Sequence, residues 1–228
     1  MENLMFENHI VKQFDEDLEE IRSRLMEMGG KVEQQLQMAM RAIGEADSSL
    51  AEEVIQEEAQ VDEMEMSIDE ACVLILARRQ PAATDLRLVI AVTRAISDLE
   101  RIGDEAKKIA KHAIELAEHG AAPRGYVEIR HLAEAVTLML RNALDAFARF
   151  DVNAAMETFA EDKKIDMDYK TALRELVTYM MEDPRSIGRV INILWVVRSL
   201  ERIGDHAKNL CEQIVFVVKG KDIRHGNK

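Results

Sequence analysis

Apolar residues recur at intervals of three and four positions along almost the whole chain, a pattern typical of amphipathic α-helices. Six long helical segments are predicted, in chain order: Glu7–Gly44, Asp47–Arg79, Ala82–His119, Tyr126–Phe150, Asn153–Glu182 and Arg185–Lys219. Proline follows the second and fifth segments, at Pro81 and Pro184, where it disfavours continuation of a helix. The pattern therefore predicts an all-α protein in which short proline corners turn the chain back on itself.

The second half of the chain repeats the plan of the first half. The nine residues LERIGDEAK of the third segment return as LERIGDHAK in the sixth segment, 101 positions later, with Glu105 replaced by His206. Each half also arranges three segments in the same order, with a proline corner between its second and third segments. We therefore predict two tandem, sequence-related three-helix bundles, formed by residues 1–120 and 121–228.

Composition favours a soluble helical protein and disfavours several functional classes. Of the 228 residues, 47% are hydrophobic and only 4% aromatic, so helix-favouring aliphatic side chains supply the core. A formal net charge of −13 opposes direct binding to nucleic acid or to an anionic membrane surface. The longest apolar run, Ala71–Ala77, is about a third of a bilayer span. With no export signal at the N-terminus, we expect a cytoplasmic protein whose Cys72 and Cys211 are buried, reduced thiols.

Four pairs of carboxylates spaced four residues apart lie on the predicted helices. They are Glu58 with Asp62, Glu100 with Asp104, Asp162 with Asp166, and Glu201 with Asp205. This spacing puts both members of a pair on one helix face, with Cβ atoms about 5–6 Å apart. Helix surfaces are often acidic, so the pairs alone establish little. Because like charges at this spacing oppose helix formation by a few tenths of a kcal/mol, four such pairs nevertheless invite an explanation.

The proline corners bring these pairs to the same level of each bundle. Residues equidistant from the turn of an antiparallel helical hairpin lie side by side. Glu58 and Asp104 are each 23 residues from Pro81, and Asp62 and Glu100 are each 19 residues from it. The pairs of the second half are equidistant from the second proline corner in the same way. We therefore predict two clusters of four carboxylates, one in each half.

Four uncompensated carboxylates in one patch repel each other, which raises their pKa values, and a bound multivalent cation relieves that repulsion. Oxygen ligands suit a hard cation such as Mg²⁺, Mn²⁺, Ca²⁺ or iron, and zinc is also compatible. Gly103 and Gly204 within the helices would permit close approach of a neighbouring helix or of the ion. His206, next to Asp205, is a candidate accessory ligand through nitrogen.

A metal-free interpretation of the same acidic residues is open. Arg101, Arg202, Lys107 and Lys208 are close enough in the sequence to neutralise some of the carboxylates. The four pairs would then belong to salt-bridge networks on the helix surface, which contribute little to stability. The spacing alone does not separate these two interpretations.

Two segments of the chain are similar to the signature segments of a known family. LARRQPAATDLRLVIAVTRAISDLERIGDEAKKIAK, Leu76–Lys111, resembles the signature of the PhoU family, and NILWVVRSLERIGDHAKNLCE, Asn192–Glu212, resembles its second copy. The resemblance extends over essentially the whole chain. It implies the PhoU fold, two similar three-helix bundles side by side.

The resemblance also implies ligands, a role and partners. Family members bind multinuclear iron or zinc clusters through acidic motifs that match, in this chain, the eight carboxylates of the four pairs. Members are non-enzymatic negative regulators of the phosphate-starvation response. They act as cytoplasmic adaptors, and as homodimers, between the ATPase of a phosphate ABC transporter and a phosphate sensor histidine kinase. On this basis the chain would meet the membrane only through its partners.

Two other functions are compatible with a helical bundle. A di-metal carboxylate enzyme would need Glu-x-x-His motifs on two helices, and the chain has one such motif, Glu128–His131, which we interpret as a chance surface pair. A metal-free structural adaptor would need no ligand at all. Trp195 stands where the first half has Arg94, so the two bundles are not equivalent there. A contact between the bundles, a partner contact and a core position are all compatible with it, and we favour the core position.

Overall fold

Six long α-helices make up the chain in a computed structural model that describes residues 12–81, 83–118 and 126–223. The helices are α1 Lys12–Glu45, α2 Ser48–Arg79, α3 Ala83–Glu118, α4 Tyr126–Arg149, α5 Val152–Glu182 and α6 Ile187–Lys219, with a short 3₁₀ turn at Pro184–Ser186 before α6. The six predicted segments are thus confirmed, with ends that differ by a few residues. The predicted start at Glu7, the predicted ends of the third segment at Ala82 and His119, and the predicted domain boundary at 120/121 lie outside the described residues.

The ends of the helices follow from specific residues. Asp47 accepts a hydrogen bond from the Leu50 N–H at 3.0 Å and starts α2, and Asp151 caps α5 in the same way. Gln80 ends α2 in the left-handed conformation, with φ of 48°, and Gly220 ends α6 with φ of 63°. These caps explain why the segment boundaries could be predicted from local sequence.

The helices pack as two groups of three. Within each half, α1, α2 and α3, or α4, α5 and α6, all contact one another, and the two groups join through α3 against α6 and α1 against α4. Ile102 of α3 and Ile203 of α6 are fully buried, each within its own copy of LERIGD. The all-α fold of two tandem three-helix bundles is confirmed.

Helices α3 and α6 run antiparallel and are related by an approximate twofold axis. Arg87 near the start of α3 donates a hydrogen bond to the Val217 carbonyl near the end of α6, at 3.2 Å. In the middle of both helices, Asp98 contacts His206 at 2.8 Å. Residue i of α3 is equivalent to residue i+101 of α6 in the repeat. If each residue of a contacting pair is replaced by its equivalent on the other helix, the two new residues also lie opposite each other. Each contact on one side of the axis therefore has an equivalent place on the other side.

The two motif glycines allow neighbouring helices to approach closely. A Cβ atom on Gly103 would lie 3.4 Å from Val61 of α2, and one on Gly204 would lie 3.3 Å from Ile165 of α5. Val61 and Ile165 each precede a predicted metal-ligating aspartate. Of the two predicted partners, a neighbouring helix or an ion, it is a helix that approaches each glycine closely. This approach brings the acidic turns of facing helices together.

We expect Gly204→Leu to destabilise the fold by about 1–3 kcal/mol, because its side chain would be forced into Ile165. Gly30→Leu is the matched control, since Gly30 is exposed on α1 with open space around it. That variant should be stabilised by about 1 kcal/mol through helix propensity. Urea unfolding of both variants tests this, and equal effects of the two substitutions would contradict it.

Two further expectations concern the thiols and the membrane. Cys72 and Cys211 are free and buried, as predicted, and burial raises the pKa of Cys72 to about 11 and that of Cys211 to about 12. Both thiols are therefore protonated and unreactive at neutral pH. Across residues 12–81, 83–118 and 126–223, none of the helices combines the length and apolar character needed to cross a bilayer.

Candidate metal-binding carboxylate clusters

The predicted register of the hairpins is observed in side-chain contacts between their helices. Ser97 of α3 donates a hydrogen bond to Glu65 of α2 at 2.9 Å, and both residues lie 16 positions from Pro81. The hairpin of the second half has an equivalent geometry, because Lys208 of α6 reaches Asp162 of α5 at 2.5 Å. The proline corners therefore bring the acidic pairs of facing helices to one level, as the equidistance argument predicts.

The eight predicted residues differ in exposure. Glu58 and Asp162 are buried, with 7% and 6% of their surface exposed. Those with intermediate burial are Asp62, Glu100, Asp104, Asp166 and Glu201, and Asp205 is exposed. Each hairpin thus has one deeply placed carboxylate and three nearer the surface.

The first cluster is held by a lysine. Lys107 of α3 donates a short hydrogen bond to the buried Glu58 of α2. This bond raises the pKa of Lys107, and the negative charges of Glu58, Asp104 and Asp62 raise it further against the effect of burial. Burial raises the pKa of Glu100, and the charges of Asp104 and Asp62 add to the rise. All four carboxylates therefore act electrostatically on one site.

The second cluster has the same construction. Burial alone would lower the pKa of Lys208, but its hydrogen bond to Asp162 and the charges of Asp162 and Asp205 outweigh that effect and raise it. Although Asp205 is exposed as a residue, partial desolvation of its carboxylate raises its pKa, and the charges of Asp162 and Asp166 add to the rise. Lys107 and Lys208 are equivalent residues of the repeat, so both halves neutralise their deepest carboxylate with the same lysine.

Glu201 carries the clearest sign of an unfilled coordination need. Burial raises its pKa, and the neighbouring charge of Asp205 raises it further. Its Oε2 atom is buried and accepts no hydrogen bond from the described residues, although the Arg198 guanidinium lies 3.4 Å away as an ion-pair partner. An oxygen in this position could accept a cation without losing any hydrogen bond.

The fit to a metal ion is incomplete in the present arrangement of side chains. Among the described residues, no three His, Cys, Asp or Glu side chains are placed so that one ion could bind them all. The lysines occupy the deepest oxygens instead, which is the neutralisation that the metal-free interpretation anticipated for Lys107 and Lys208. An ion would enter only if these ammonium groups withdrew. The oxygen-only donor set fits a hard cation, and its ligation remains a prediction.

Sequence reasoning missed the environment of His206. Its Nδ1 lies 2.8 Å from Asp98 of the other bundle, so this nitrogen is engaged across the bundle junction. Asp98 also accepts a hydrogen bond from Asn209 at 2.9 Å. Arg202 likewise pairs with Glu105 across the bundle junction, at 2.5 Å, rather than with its own cluster. The sequence did contain a signal for these contacts, because Glu105 and His206 are the one difference between the two nine-residue copies.

Trp195 is also placed differently from the prediction. Its side chain is 51% exposed, so it is not a core residue. The equivalent Arg94 of the first half lies over the ring of Phe216, with 5.3 Å between the guanidinium carbon and the ring centre. The two bundles therefore differ at this pair of equivalent positions.

Replacing Glu201 with Gln should raise the melting temperature of chelator-treated protein at pH 7. The folded-state pKa of Glu201 lies above its unfolded value, so its negative charge opposes folding at neutral pH. That cost disappears as the pH falls through the raised pKa, because the folded protein then binds the proton. Melting curves between pH 7 and pH 4 should show the advantage of Glu201→Gln shrinking with pH. Glu157→Gln, at an exposed position of α5, is the control, and an equal shift in both variants would contradict the account.

Comparison with known proteins adds independent information. The model of the PhoU domain family matches residues 25–113 and 129–214, one match in each bundle. The phosphate-specific transport system accessory protein PhoU homolog of Pseudomonas putida is 59% identical over 96% of this chain and 85% of its own length. The phosphate-specific transport system accessory protein PhoU of Escherichia coli strain K12 is 48% identical over 99% of this chain and 93% of its own.

Solved structures agree with these matches. The crystal structure of PhoU from Pseudomonas aeruginosa superposes with a TM-score of 0.90 at 57% identity, covering 92% of this chain and 100% of that one. The phosphate transport system regulatory protein PhoU from Streptococcus pneumoniae gives a TM-score of 0.85 at 29% identity, covering 92% and 99%. The likeness includes both bundles and their relative placement.

Proposed function

The chain belongs to the PhoU family, and on that premise we propose that it is a non-enzymatic regulator of phosphate uptake and of the phosphate-starvation response. The observation that carries this proposal is the full-length match, in sequence and fold, to proteins named as accessory and regulatory components of phosphate transport. The shared fold contains the same two bundles. A common role is the simplest account of a likeness that extends over both halves.

In this proposal the protein is a cytoplasmic, homodimeric adaptor between the ATPase of the phosphate transporter and the sensor histidine kinase. Long helices offer wide surfaces for partner helices. On α5, Met167, Val177 and Met181 have 60%, 48% and 79% of their surface exposed. Exposed methionines can adapt their shape to more than one partner. These residues support a docking role, while the choice of partners comes from the family resemblance.

We further propose that the two carboxylate clusters hold metal ions. Glu58, Asp62, Glu100 and Asp104 would bind in the first cluster, and the equivalent residues Asp162, Asp166, Glu201 and Asp205 in the second. Iron or zinc is proposed from the family resemblance. What supports the proposal in this chain is the raised pKa of Glu100, Glu201 and Asp205, which burial causes first and the repulsion between neighbouring carboxylates increases. A bound cation would remove that repulsion and stiffen the α2–α3 and α5–α6 hairpins.

Co-purification from cells tests the adaptor proposal. Tagged protein would be isolated after cross-linking from cells grown at high phosphate, beside an untagged strain as the control. The transporter ATPase and the sensor kinase should both be enriched. Recovery of neither partner, with a tagged protein that still complements a deletion strain, would contradict the adaptor role.

A further inference from the structure

A cavity of about 310 Å³ lies between α3 and α6, to one side of the approximate twofold axis. It is lined by Glu105, Lys108 and His112 of α3 and by Trp195, Arg198 and Arg202 of α6. None of these residues belongs to the predicted carboxylate ligands. The cavity therefore lies at the junction of the bundles and not within either acidic hairpin.

The lining is cationic in a chain of strongly negative net charge. The lining contains three cations, Lys108, Arg198 and Arg202, and one carboxylate, Glu105, which is only 2% exposed. Arg198 pairs with Glu201, outside the lining, at 3.4 Å. Lys108 and Arg202 contact Glu105 at 2.9 Å and 2.5 Å. Lys108 is also 3.8 Å from Asp104. Against a net charge of −13, this concentration of positive charge is a local exception.

The cations keep donors that their carboxylate partners do not use. The side chains of Lys108, Arg198 and Arg202 are 45%, 48% and 43% exposed. A guanidinium has five N–H donors and an ammonium has three, so one or two contacts leave most of them available. Available donors of two arginines and one lysine around a small space suit a multiply charged oxyanion.

The approximate twofold symmetry shows what is special about this side. At the equivalent place on the other side, Asp98 accepts hydrogen bonds from His206 and Asn209. On the cavity side the residue equivalent to Asp98 is Ser199, and the residue equivalent to Asn209 is Lys108. The cavity side thus has the Ser199 hydroxyl in place of the Asp98 carboxylate, and the Lys108 ammonium in place of the Asn209 amide. Glu105, the residue equivalent to His206, supplies the carboxylate on the cavity side, so what distinguishes this side is its additional cations, Lys108 and Arg198 in place of Asn209 and Ser97.

Two aromatic groups complete the lining. The His112 Nδ1 atom is buried and makes no hydrogen bond within the described part of the chain, with the Glu115 carboxylate 3.8 Å away. Trp195 replaces Arg94 of the other side and presents an exposed indole ring beside the cations. An imidazole with an unused nitrogen and a flat apolar ring add a hydrogen-bonding group and a stacking surface.

We propose that this cavity binds a small anion that carries a phosphate group. Arginine and lysine recognise phosphate oxygens through directed, charge-assisted hydrogen bonds. The volume of about 310 Å³ is at the lower end of the range for small-molecule sites, which limits the ligand to an ion or a mononucleotide. Inorganic phosphate would use the cations alone, and a nucleotide would add stacking on Trp195. The site shares ion pairs with both carboxylate clusters, because Lys108 lies 3.8 Å from Asp104 and Arg198 lies 3.4 Å from Glu201, but it does not depend on the proposed adaptor role.

The chain contains an intrinsic fluorescent probe for this site. Trp195 is the single tryptophan of the sequence, so intrinsic fluorescence reports on the cavity directly. The full chain would be titrated at constant ionic strength with inorganic phosphate in one arm and adenosine monophosphate in the other. We expect a saturable change in emission with at least one of these anions at or below millimolar concentration.

Variants that remove one charge distinguish specific anion binding in the cavity from nonspecific electrostatic attraction to the protein surface. Arg198→Gln and Lys108→Gln should each weaken binding by about tenfold or more, since each removes charge-assisted hydrogen bonds. Arg101→Gln is the matched control, because Arg101 is exposed on α3 and is the repeat counterpart of Arg202. It should bind as the unchanged protein does. Circular dichroism and melting curves check that each variant is folded. If Arg198→Gln does not fold, Lys108→Gln provides the test.

The outcomes are distinct. Saturation by phosphate, with or without the nucleotide, supports a site for the free ion, and saturation by the nucleotide alone supports a nucleotide site. Lack of saturation with both anions overturns the proposal. Equal affinity of Arg198→Gln, Lys108→Gln and Arg101→Gln also overturns it, because the cavity cations would then play no part.

Discussion

Cells that lack this chain are expected to express their phosphate-starvation genes even when phosphate is plentiful. A negative regulator that links the transporter to its kinase would no longer hold the kinase in its repressing state. A promoter reporter for a phosphate-starvation gene, measured in rich medium, should reach the level of phosphate-starved cells. Re-expression of the unchanged chain should restore repression.

The same reporter separates regulation from transport. A strain that also lacks the sensor kinase should stay repressed, because the signal would have no route to the genes. Continued repression in the single deletion, with phosphate uptake unchanged, would contradict the regulatory role. The outcome does not depend on the metal proposal, since a metal-free adaptor predicts the same derepression.

Replacing Lys107 and Lys208 with methionine should make the fold depend on a bound cation. These lysines neutralise the buried Glu58 and Asp162, and methionine keeps the apolar stem while removing the charge. Charge-assisted hydrogen bonds of this kind contribute about 1.5–3 kcal/mol, so the double variant should bind Mn²⁺ about tenfold more tightly or better. Isothermal titration after chelator treatment measures this affinity, and melting curves with and without Mn²⁺ measure the dependence of the fold.

Lys163→Met is the control for this experiment, because Lys163 is exposed on α5 and close in sequence to the same cluster. It should change neither the Mn²⁺ affinity nor the melting temperature appreciably. A double variant that binds Mn²⁺ no better than Lys163→Met would show that the lysine pairs are simply structural. The metal-free interpretation of the clusters would then be preferred.

The helices and their register could be predicted because local signals determine them. The apolar period defines the helix faces, Asp47 and Asp151 cap the second helix of each half, and the proline corners fix which residues lie opposite each other. The hydrogen bond from Ser97 to Glu65 shows the register that equidistance from Pro81 predicts. Within one hairpin, position along the chain is enough to infer proximity.

The bundle junction could not be predicted in the same way. Which residues of α3 meet α6 depends on packing between the two halves, and no local period encodes it. His206 was assigned to the acidic cluster by its neighbour Asp205, whereas its ring points across the junction to Asp98. Trp195 was assigned to the core by its type, yet it borders a cavity. In both cases the informative feature was the difference between the two repeats and not the motif that they share.

Metal analysis of the purified protein tests the central claim, that facing carboxylates gather to bind cations. Protein purified without chelator would be compared with a variant in which Glu100, Asp104, Glu201 and Asp205 are all alanine, using elemental mass spectrometry. The account predicts bound iron or zinc in the unchanged chain, loss of it in the variant, and retention of the helical fold in both. Equal metal content in the two proteins, or none in the unchanged chain even after incubation with iron and with zinc, would contradict it.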